Sequence, residues 1–320
     1  MNILKNPISA ILRNRYEREI DKARVELSRL PIEKAIVEVD FKSLGVTSQL
    51  EEYRLYLNPS DEGLSLQLYA WRLREPLNTF FLYKSIRDKK QNIDVVMDVG
   101  SNIGYFPLCE VITGVKNIIA IEPVPESYAI LRRNMKCFKN VKLLNFAISH
   151  SDGPIKMYVP RKLNLASVHI NEEYLNNAGT KIDKIIDVRG YSFDSVLKRE
   201  NLKGLNILVR MDIEGFEKAI INQLPKEVYG ISFELYSYIL GYSDNVALIK
   251  KLMSSGYKIE LMLRELDGLV PIVRLLGLKT SLRLYESLIE KRVFHEPSMN
   301  DVESIIRLCR ENPHIFAFKS

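Results

Sequence analysis

The sequence predicts an α/β protein built on a doubly wound, mostly parallel sheet. From residue 94 onward, short apolar runs rich in β-forming residues alternate with helical stretches. Such alternation requires a parallel sheet with helices on both faces. A glycine-containing turn joins the first apolar run to the helix that follows it. We therefore expect a Rossmann-like core that binds its ligand beyond the carboxyl ends of the strands.

An α+β extension is predicted before the core, in residues 1–90. Residues 8–30 place apolar side chains at helical spacing, with charged residues on the rest of the cylinder, and so predict an amphipathic helix. A second helix is predicted at Leu77–Ile86 and leads into the core. Short strands are predicted at Ala35–Phe41, Tyr53–Leu57 and Leu64–Leu68.

The predicted core spans residues 91–262, and a C-terminal region spans residues 263–320. Core strands are predicted at Val95–Val99, Asn117–Ile121, Val141–Ala147, Ile207–Met211, Tyr229–Leu235 and Tyr257–Met262. Core helices are predicted at Tyr105–Ile112, Glu126–Cys137 and Phe216–Asn222. The C-terminal region is predicted to be a helical insertion, with helices at Leu282–Arg292 and Val302–Arg310, followed by a last strand at Ile315–Phe318.

Composition and charge bound the class of protein. The chain is 46% hydrophobic and 27% charged, as in ordinary globular proteins, and its net charge of +6 is spread along the whole length. Diffuse basicity of this kind is only a weak indication of a nucleic-acid partner. No apolar stretch is long enough to form a transmembrane segment, and the N-terminus lacks the apolar core of a signal peptide. The three cysteines are widely separated and match no disulfide framework, so we expect a cytoplasmic protein.

The glycine turn is the sharpest motif in the sequence. Asp98 ends the first core strand, and Gly100 follows where a turn needs positive φ and a ligand needs close approach to the backbone. Gly104 permits close packing of helix on strand. The carboxylate of Asp98 is placed to accept hydrogen bonds from an ammonium group, or to order water near one.

An acidic partner follows the second core strand. Glu122 comes 24 residues after Asp98 and is followed by Pro123, which sets the turn. A carboxylate there can bind both hydroxyls of a ribose. Glu122 could instead be a solvent-exposed loop charge, but its place after the glycine turn, in the expected order, makes the ribose-binding role the better interpretation. Because Asn102 replaces the middle glycine of a dinucleotide-binding turn, the pattern favours S-adenosylmethionine over NAD as the cofactor.

These residues resemble the FkbM-type family of S-adenosylmethionine-dependent methyltransferases. Residues 98–106 read D-V-G-S-N-I-G-Y-F, similar to the family's D-V-G-A-N-I-G-Y-F signature. Four further blocks follow in the family's order, at residues 122–123, 145–153, 210–217 and 231–234. The resemblance covers roughly residues 70–262.

The resemblance implies a class I methyltransferase fold, with a seven-stranded sheet whose last strand is antiparallel, and S-adenosyl-L-methionine as the methyl donor. It also implies methylation of a hydroxyl oxygen on a small molecule or a sugar. The cofactor-binding residues that we expect are Asp98, Gly100, Ser101, Asn102, Gly104, Glu122, Pro123 and Ala147. Arg210 departs from the lysine that the family often has at this position.

The candidate catalytic residues follow the fourth and fifth core strands, beside the predicted position of the methyl group. Asp212 and Glu214 flank Ile213, so in an extended segment both would point the same way, and Glu234 ends the next strand. Asp212 could also cap the helix that follows. His169 lies in the long segment where a substrate loop is expected. A divalent ion held by Asp212 and Glu234 would be compatible with the spacing, but nothing in the spacing requires a metal.

Two other functions compete with this interpretation. One is methylation of tRNA or rRNA, against which the acids at residues 212 and 214 count because they would repel a phosphate backbone. The other is a non-catalytic binding protein on the same fold, against which the retained glycine turn counts. An apolar cluster at residues 266–276 would need burial, and together with helix 8–30 it suggests a homodimer.

Overall fold

The computed structural model describes residues 7–46, 53–169, 172–263, 278–308 and 312–319. Its helices are α1 (Pro7–Leu27), α2 (Leu64–Trp71), α3 (Pro76–Lys89), α4 (Tyr105–Thr113), α5 (Pro125–Met135), α6 (Glu172–Asn177), α7 (Phe193–Arg199), α8 (Glu217–Ile221), α9 (Ser237–Ser254), α10 (Leu278–Arg292) and α11 (Met299–Leu308). Its strands are β1 (Ile36–Glu38), β2 (Arg54–Tyr56), β3 (Val95–Val99), β4 (Ile118–Ile121), β5 (Val141–Leu144), β6 (Ala147–Ile148), β7 (Gly153–Pro160), β8 (Ile182–Tyr191), β9 (Ile207–Met211), β10 (Val228–Glu234), β11 (Tyr257–Met262), β12 (Val293–His295) and β13 (His314–Lys319).

The main sheet confirms the predicted doubly wound α/β architecture. Its strand order is β12-β11-β13-β10-β9-β3-β4-β5. The run from β10 to β5 is parallel, and β13 pairs antiparallel with both β10 and β11. Seven of these strands are those predicted from the sequence, with the last one antiparallel as expected. The three-residue strand β12 adds an eighth at the edge.

The chain reverses its direction across the sheet between β3 and β9. From β3 it moves outward through β4 and β5, and it then returns to β9 on the other side of β3 before continuing to β10. Loops on the two sides of such a switch point part from each other and leave a crevice at the carboxyl ends of the strands. Asp98 and Arg210 are direct neighbours across this β3–β9 boundary.

The N-terminal helix packs on the chain's own core. Ala23 and Leu27 of α1 are buried, and the ring of Tyr16 stacks on Trp71 of α2 with 5.4 Å between the ring centroids. The same apolar cluster continues through α3 and α4 to Val96 of the sheet. The apolar face of the predicted helix is therefore covered by the chain itself.

The predicted strand at Leu64–Leu68 is wrong, because this segment is the helix α2. The carboxylate of Asp61 accepts hydrogen bonds from the amides of Gly63 and Ser65, at 2.8 Å each, and so supplies partners to the first turn of the helix. Leu64, Ser65 and Leu66 are all buried. Since the helix is covered on several sides, its polar residues alternate with leucines without marking a solvent face.

A small second sheet was not predicted. Its strands β7 and β8 form an antiparallel ribbon, and β6 pairs in parallel with β8. The predicted strand Val141–Ala147 is divided between the two sheets, since β5 ends at Leu144 and β6 begins at Ala147. The second sheet begins at the end of β5 and therefore lies near the carboxyl edge of the main sheet.

Two expectations reach into residues that the structure does not describe. The apolar cluster at 266–276 lies outside the described residues, so the homodimer stays a prediction, as does the division of the chain at residues 90 and 262. Among the described helices, none is both long and apolar enough to cross a membrane.

Candidate active site

The glycine turn between β3 and α4 is held tightly against its neighbours. The amides of Gly100 and Ser101 both donate to the carbonyl oxygen of Ile121, at 3.0 Å each. Gly100 has a φ of +87°, and a Cβ placed there would lie 2.1 Å from the carbonyl oxygen of Asp212. Only glycine fits this position, because any side chain would both strain the backbone and collide with it.

The second half of the turn is tied to α5. Asn102 has a φ of +48°, and its Oδ1 accepts a hydrogen bond from the amide of Ile103 at 2.8 Å. Asn134 of α5 donates to the carbonyl oxygen of Ile103 at 2.7 Å. At Gly104, a Cβ would lie 3.0 Å from side chains of α5. The predicted close packing of glycine turn on helix is therefore present.

Glu122, at the end of β4, closes the turn from the other side. Its two oxygens accept the amides of Asn102 and Val124, each at 2.8 Å, and the side chain is buried. Burial raises the pKa of Glu122 to about 7, against the opposing effect of the two amide hydrogen bonds. A carboxylate has about four acceptor positions, so each oxygen can still accept another donor.

A cleft of about 530 Å³ opens over the turn. Of the predicted cofactor-binding residues, the lining includes Gly100, Asn102, Glu122, Pro123 and Ala147. The remaining three, Asp98, Ser101 and Gly104, are buried behind the turn and do not line the cleft.

The sequence did not indicate most of the apolar wall of this cleft. Phe146 and Ile148 follow β5, Met157 lies on the ribbon strand β7, and Val168 lies on the segment that joins β7 to β8. The sequence of the ribbon contains no recognisable motif. Its residues line the cleft only because β7 folds over the edge of the main sheet. A flat, largely apolar wall opposite a carboxylate is the usual lining of a nucleoside site.

Arg210 joins Asp98, which is buried behind the glycine turn, to Asp212, which lines the cleft. Its guanidinium donates to Asp98 at 3.1 Å and to Asp212 at 2.9 Å, and it lies 3.6 Å from the ring centroid of Phe106. All but about 7% of its side chain is buried. Burial opposes the charge on Arg210, but Asp98 and Asp212 raise its pKa further above its ordinary value. A permanent cation is thus fixed where the family often has lysine.

Of the candidate catalytic acids, Asp212 is the one that lines the cleft. Its Oδ2 accepts from Arg210 and its Oδ1 accepts from the hydroxyl of Tyr236 at 3.1 Å. Its amide donates to the carbonyl oxygen of Val99 at 3.0 Å, which fixes the residue beside the glycine turn. The side chain remains 30% exposed, so a ligand in the cleft can reach it.

The prediction that Asp212 and Glu214 point the same way is wrong. Glu214 has a φ of +53°, so the segment is a tight turn rather than extended backbone. Its Oε2 accepts from the hydroxyl of Tyr174 at 3.1 Å, away from the cleft. Burial, together with the nearby charges of Asp212 and Glu234, raises the pKa of Glu214 well above its ordinary value. Glu217 closes the turn by accepting the amides of Ile213 and Gly215 at 3.1 and 2.9 Å.

Three residues from outside the predicted core approach the same acids. His314 of β13 is buried and pairs across the sheet with Glu234 of β10. Arg74 and Glu75, just before α3, form a salt bridge of 2.7 Å. Burial acts to raise the pKa of Glu75, but Arg74 and His314 lower it to about 2. No local sequence pattern marked these residues, because the topology alone brings them to this edge.

His169 lies farther from the cleft acids. It is exposed, and its ring lies against Phe216, which lines the cleft, with 5.2 Å between the ring centroids. Within the described part of the chain, no three His, Cys, Asp or Glu side chains converge closely enough to hold a metal ion.

Several known methyltransferases are similar to this chain in sequence or in fold. A hexuronic acid methyltransferase, AglP of Haloferax volcanii, is 24% identical over 165 residues, which cover 51% of this chain and 63% of that protein. The chain thus spans less than two thirds of that curated relative. Among solved structures, an O-methyltransferase from Bacillus cereus in complex with SAH aligns with a TM-score of 0.40 at 10% identity, over 77% of this chain and 81% of its own.

A second solved structure is similar at the same low level. It is a precorrin-6y C5,15-methyltransferase from Geobacter metallireducens, with a TM-score of 0.33 at 12% identity, over 75% of this chain and 88% of its own. The model of the methyltransferase FkbM domain matches residues 98–259, from the glycine turn to the strand β11. That match covers half of the chain and includes every residue of the cleft named above, and the chain therefore belongs to the FkbM methyltransferase domain family.

Proposed function

We propose that the chain is an S-adenosylmethionine-dependent methyltransferase that acts on a hydroxyl oxygen of a small molecule, a sugar or a glycan. Membership of the FkbM family supports methyl transfer. The observation that carries the proposal is that Glu122, the glycine turn and Asp212 line one cleft. The first pair of features suits a nucleoside cofactor, and Asp212 suits an acceptor with a proton to lose.

The residues of the cleft fit the cofactor. Glu122 would bind the ribose hydroxyls with the acceptor positions that its two backbone amides leave open. Phe146 and Met157 would cover the adenine ring. Gly100 would let the amino-acid part approach the backbone, since a Cβ there has no room. Asp98 is buried behind the turn and paired with Arg210, so in this conformation it would support the turn without touching the cofactor.

Asp212 would handle the acceptor's proton. The cofactor supplies an electrophilic methyl group on a sulfonium sulfur. Asp212 would accept the proton that the acceptor hydroxyl loses when its oxygen displaces that methyl group from sulfur. A carboxylate held by Arg210 and Tyr236 is a weak base, but the oxygen becomes acidic once it has begun to bind the methyl carbon. The remaining rate enhancement would come from holding the acid and the acceptor oxygen in place, because alignment contributes most of the catalysis of a direct displacement.

The charge around Asp212 favours a hydroxyl acceptor over a nucleic acid. Glu75, Asp212 and Glu234 gather at one edge of the sheet, and the two arginines there are both paired with acids. A phosphate backbone would meet excess negative charge at this edge. The relative that acts on a hexuronic acid supports a sugar-like acceptor.

The test is a search for the labelled product. The purified chain is incubated with methyl-labelled S-adenosylmethionine and with fractions of small molecules, glycans and RNA. We expect label in a fraction of small molecules or glycans, in an alkali-stable O-methyl ether, and no label with Asp212→Asn. Label that appears only in RNA, or on nitrogen, would contradict the proposed acceptor.

A further inference from the structure

A second cavity lies beside the cleft and has no part in the account above. It encloses about 330 Å³ and is lined by residues that include Tyr158, Ser167, His169, Tyr174 and Glu214. None of these five lines the cofactor cleft.

The wall between the cleft and this cavity is one strand thick. Along residues 164–169 the side chains alternate: Asn164, Ala166 and Val168 line the cleft, whereas the residues between them line the second cavity. The segment begins with a single 3-10 turn, Leu163–Leu165, and is extended from Ala166 to Ser167. Backbone hydrogen bonds between Tyr158 and Ser167, at 2.8 and 3.1 Å, fix this segment to the ribbon.

The same division continues through the turn after β9. Ile213 lines the cleft, and the next residue, Glu214, lines the second cavity. The hydroxyl of Ser167 donates to the carbonyl oxygen of Glu214 at 3.1 Å, which joins the wall to the turn. The ring of Tyr174 lies 6.1 Å from that of Tyr236, whose hydroxyl binds Asp212. The second cavity therefore adjoins the acceptor end of the cleft.

The lining of this cavity suits a ring that carries hydroxyl groups and no charge. Two tyrosine rings and aliphatic side chains give flat apolar contact, while Ser167, His169 and Glu214 give hydrogen bonds. Burial raises the pKa of Glu214 well above its ordinary value, which favours the protonated carboxyl group, and that form can both donate and accept. None of the described residues that line the cavity is a lysine or an arginine, so an anionic ligand would meet no counter-charge.

We propose that this second cavity binds an uncharged, hydroxyl-bearing ring of the acceptor, such as a hexose unit, and thereby directs a neighbouring hydroxyl to Asp212. The inference rests on the proposed function, because it needs the methyl group to be presented in the adjoining cleft. Tyr174 and Glu214 are the specificity-determining pair, since the 3.1 Å hydrogen bond between them fixes the polar end of the cavity.

Binding of a simple sugar tests this proposal without knowledge of the natural acceptor. The full chain is saturated with S-adenosylhomocysteine, and saturation-transfer NMR is recorded with methyl α-D-glucopyranoside and, separately, with D-glucuronate. We expect transfer to the neutral glucoside and a weaker effect for the anionic glucuronate. Transfer to neither sugar, or a stronger effect for glucuronate, would overturn the inference.

A matched pair of variants locates the binding. Tyr174→Phe removes the hydroxyl that binds Glu214, and Tyr242→Phe removes a comparable bond, from Tyr242 to Glu303 at 3.3 Å, that lies outside the cavity. We expect Tyr174→Phe to weaken glucoside binding about tenfold, as for a hydrogen bond to a carboxyl group, and Tyr242→Phe to leave it unchanged. Equal binding by both variants would place the sugar elsewhere.

The control with S-adenosylhomocysteine separates the two proposals. If the chain binds S-adenosylhomocysteine but neither sugar, the cavity proposal fails and the proposed function stands. If the chain does not bind S-adenosylhomocysteine by calorimetry, the proposed function itself fails.

Discussion

The two ends of the cleft are built in different ways. At the glycine turn, the backbone amides and the carboxylate of Glu122 satisfy one another within a short stretch of chain. At the Asp212 end, charged side chains from five distant segments crowd together, and several are buried with shifted pKa values. The first arrangement is a turn held rigidly by hydrogen bonds. The second is a cluster of charged side chains around Asp212. Under the proposed function, the glycine turn and Glu122 would bind the cofactor, and the groups around Asp212 would act on the acceptor.

The largest effect is expected from Asp212→Asn, which breaks only the reacting end. The amide keeps an acceptor for Tyr236 but cannot take a proton. We expect turnover to fall by about 10²–10⁴-fold, as for loss of a general base, while the affinity for S-adenosylmethionine stays nearly unchanged. The measurement is the rate of labelled product with the acceptor found above, beside an Asp187→Asn control on the exposed face of β8. Turnover equal to that of the wild-type chain would leave a purely structural role for Asp212.

Gly100→Ala should destabilise the glycine turn. The new Cβ would meet the Asp212 carbonyl at 2.1 Å in a backbone with φ of +87°. We expect the free energy of unfolding to drop by about 3 kcal/mol, the sum of left-handed strain and overpacking. Gly204→Ala is the matched control, because its φ is +81° but no atom lies within 4 Å of its Cβ position. It should lose only about 1 kcal/mol. Equal losses in denaturant titrations would mean that the close approach at Gly100 costs nothing.

Glu122→Ala separates the two regions, because it should weaken cofactor binding and leave the structure around Asp212 unchanged. We expect the affinity for S-adenosylmethionine to weaken by about 1.5–3 kcal/mol, the loss typical of charge-assisted hydrogen bonds. Glu126→Ala, an exposed acid at the start of α5, serves as the control and should bind normally. If calorimetry gives the same affinity for both variants, Glu122 does not contact the cofactor.

The smallest effect concerns the buried acid behind the turn. Glu110 of α4 is fully buried near Asp98, and burial together with the Asp98 charge raises its pKa well above the ordinary 4.5. In the unfolded chain Glu110 loses its proton near pH 4.5, whereas the folded chain retains it. The stabilisation is therefore complete below pH 4.5 and declines as the pH rises above it.

Glu110→Gln removes this decline, because an amide does not titrate. We expect the variant to be more stable than the wild-type chain at pH 8 and equally stable at pH 4. The exposed Glu290→Gln of α10 should follow the wild-type chain at every pH. Parallel stability curves for wild type and Glu110→Gln, from chemical unfolding between pH 4 and 8, would contradict a retained proton.

The sequence predicted the cofactor end far better than the acceptor end, for a physical reason. The glycine turn and Glu122 are marked by local constraints, since positive φ demands glycine and a strand end positions the acid. The acceptor end depends on long-range packing, so Arg74, Glu75 and His314 carry no local signal. The error at Glu214 has a similar origin, because a left-handed residue broke the alternation that the sequence suggested. The helix α2 was missed because burial on several sides hides the helical period.

The central claim is that the cleft holds S-adenosylmethionine, and a calorimetric titration of the wild-type chain tests it most directly. Titrations with S-adenosylmethionine and with NAD are run side by side on the full chain. Our account predicts saturable binding of one S-adenosylmethionine per chain and no binding of NAD, because Asn102 occupies the place of the middle glycine that a pyrophosphate needs. Binding of NAD, or no heat of binding with S-adenosylmethionine, would contradict it.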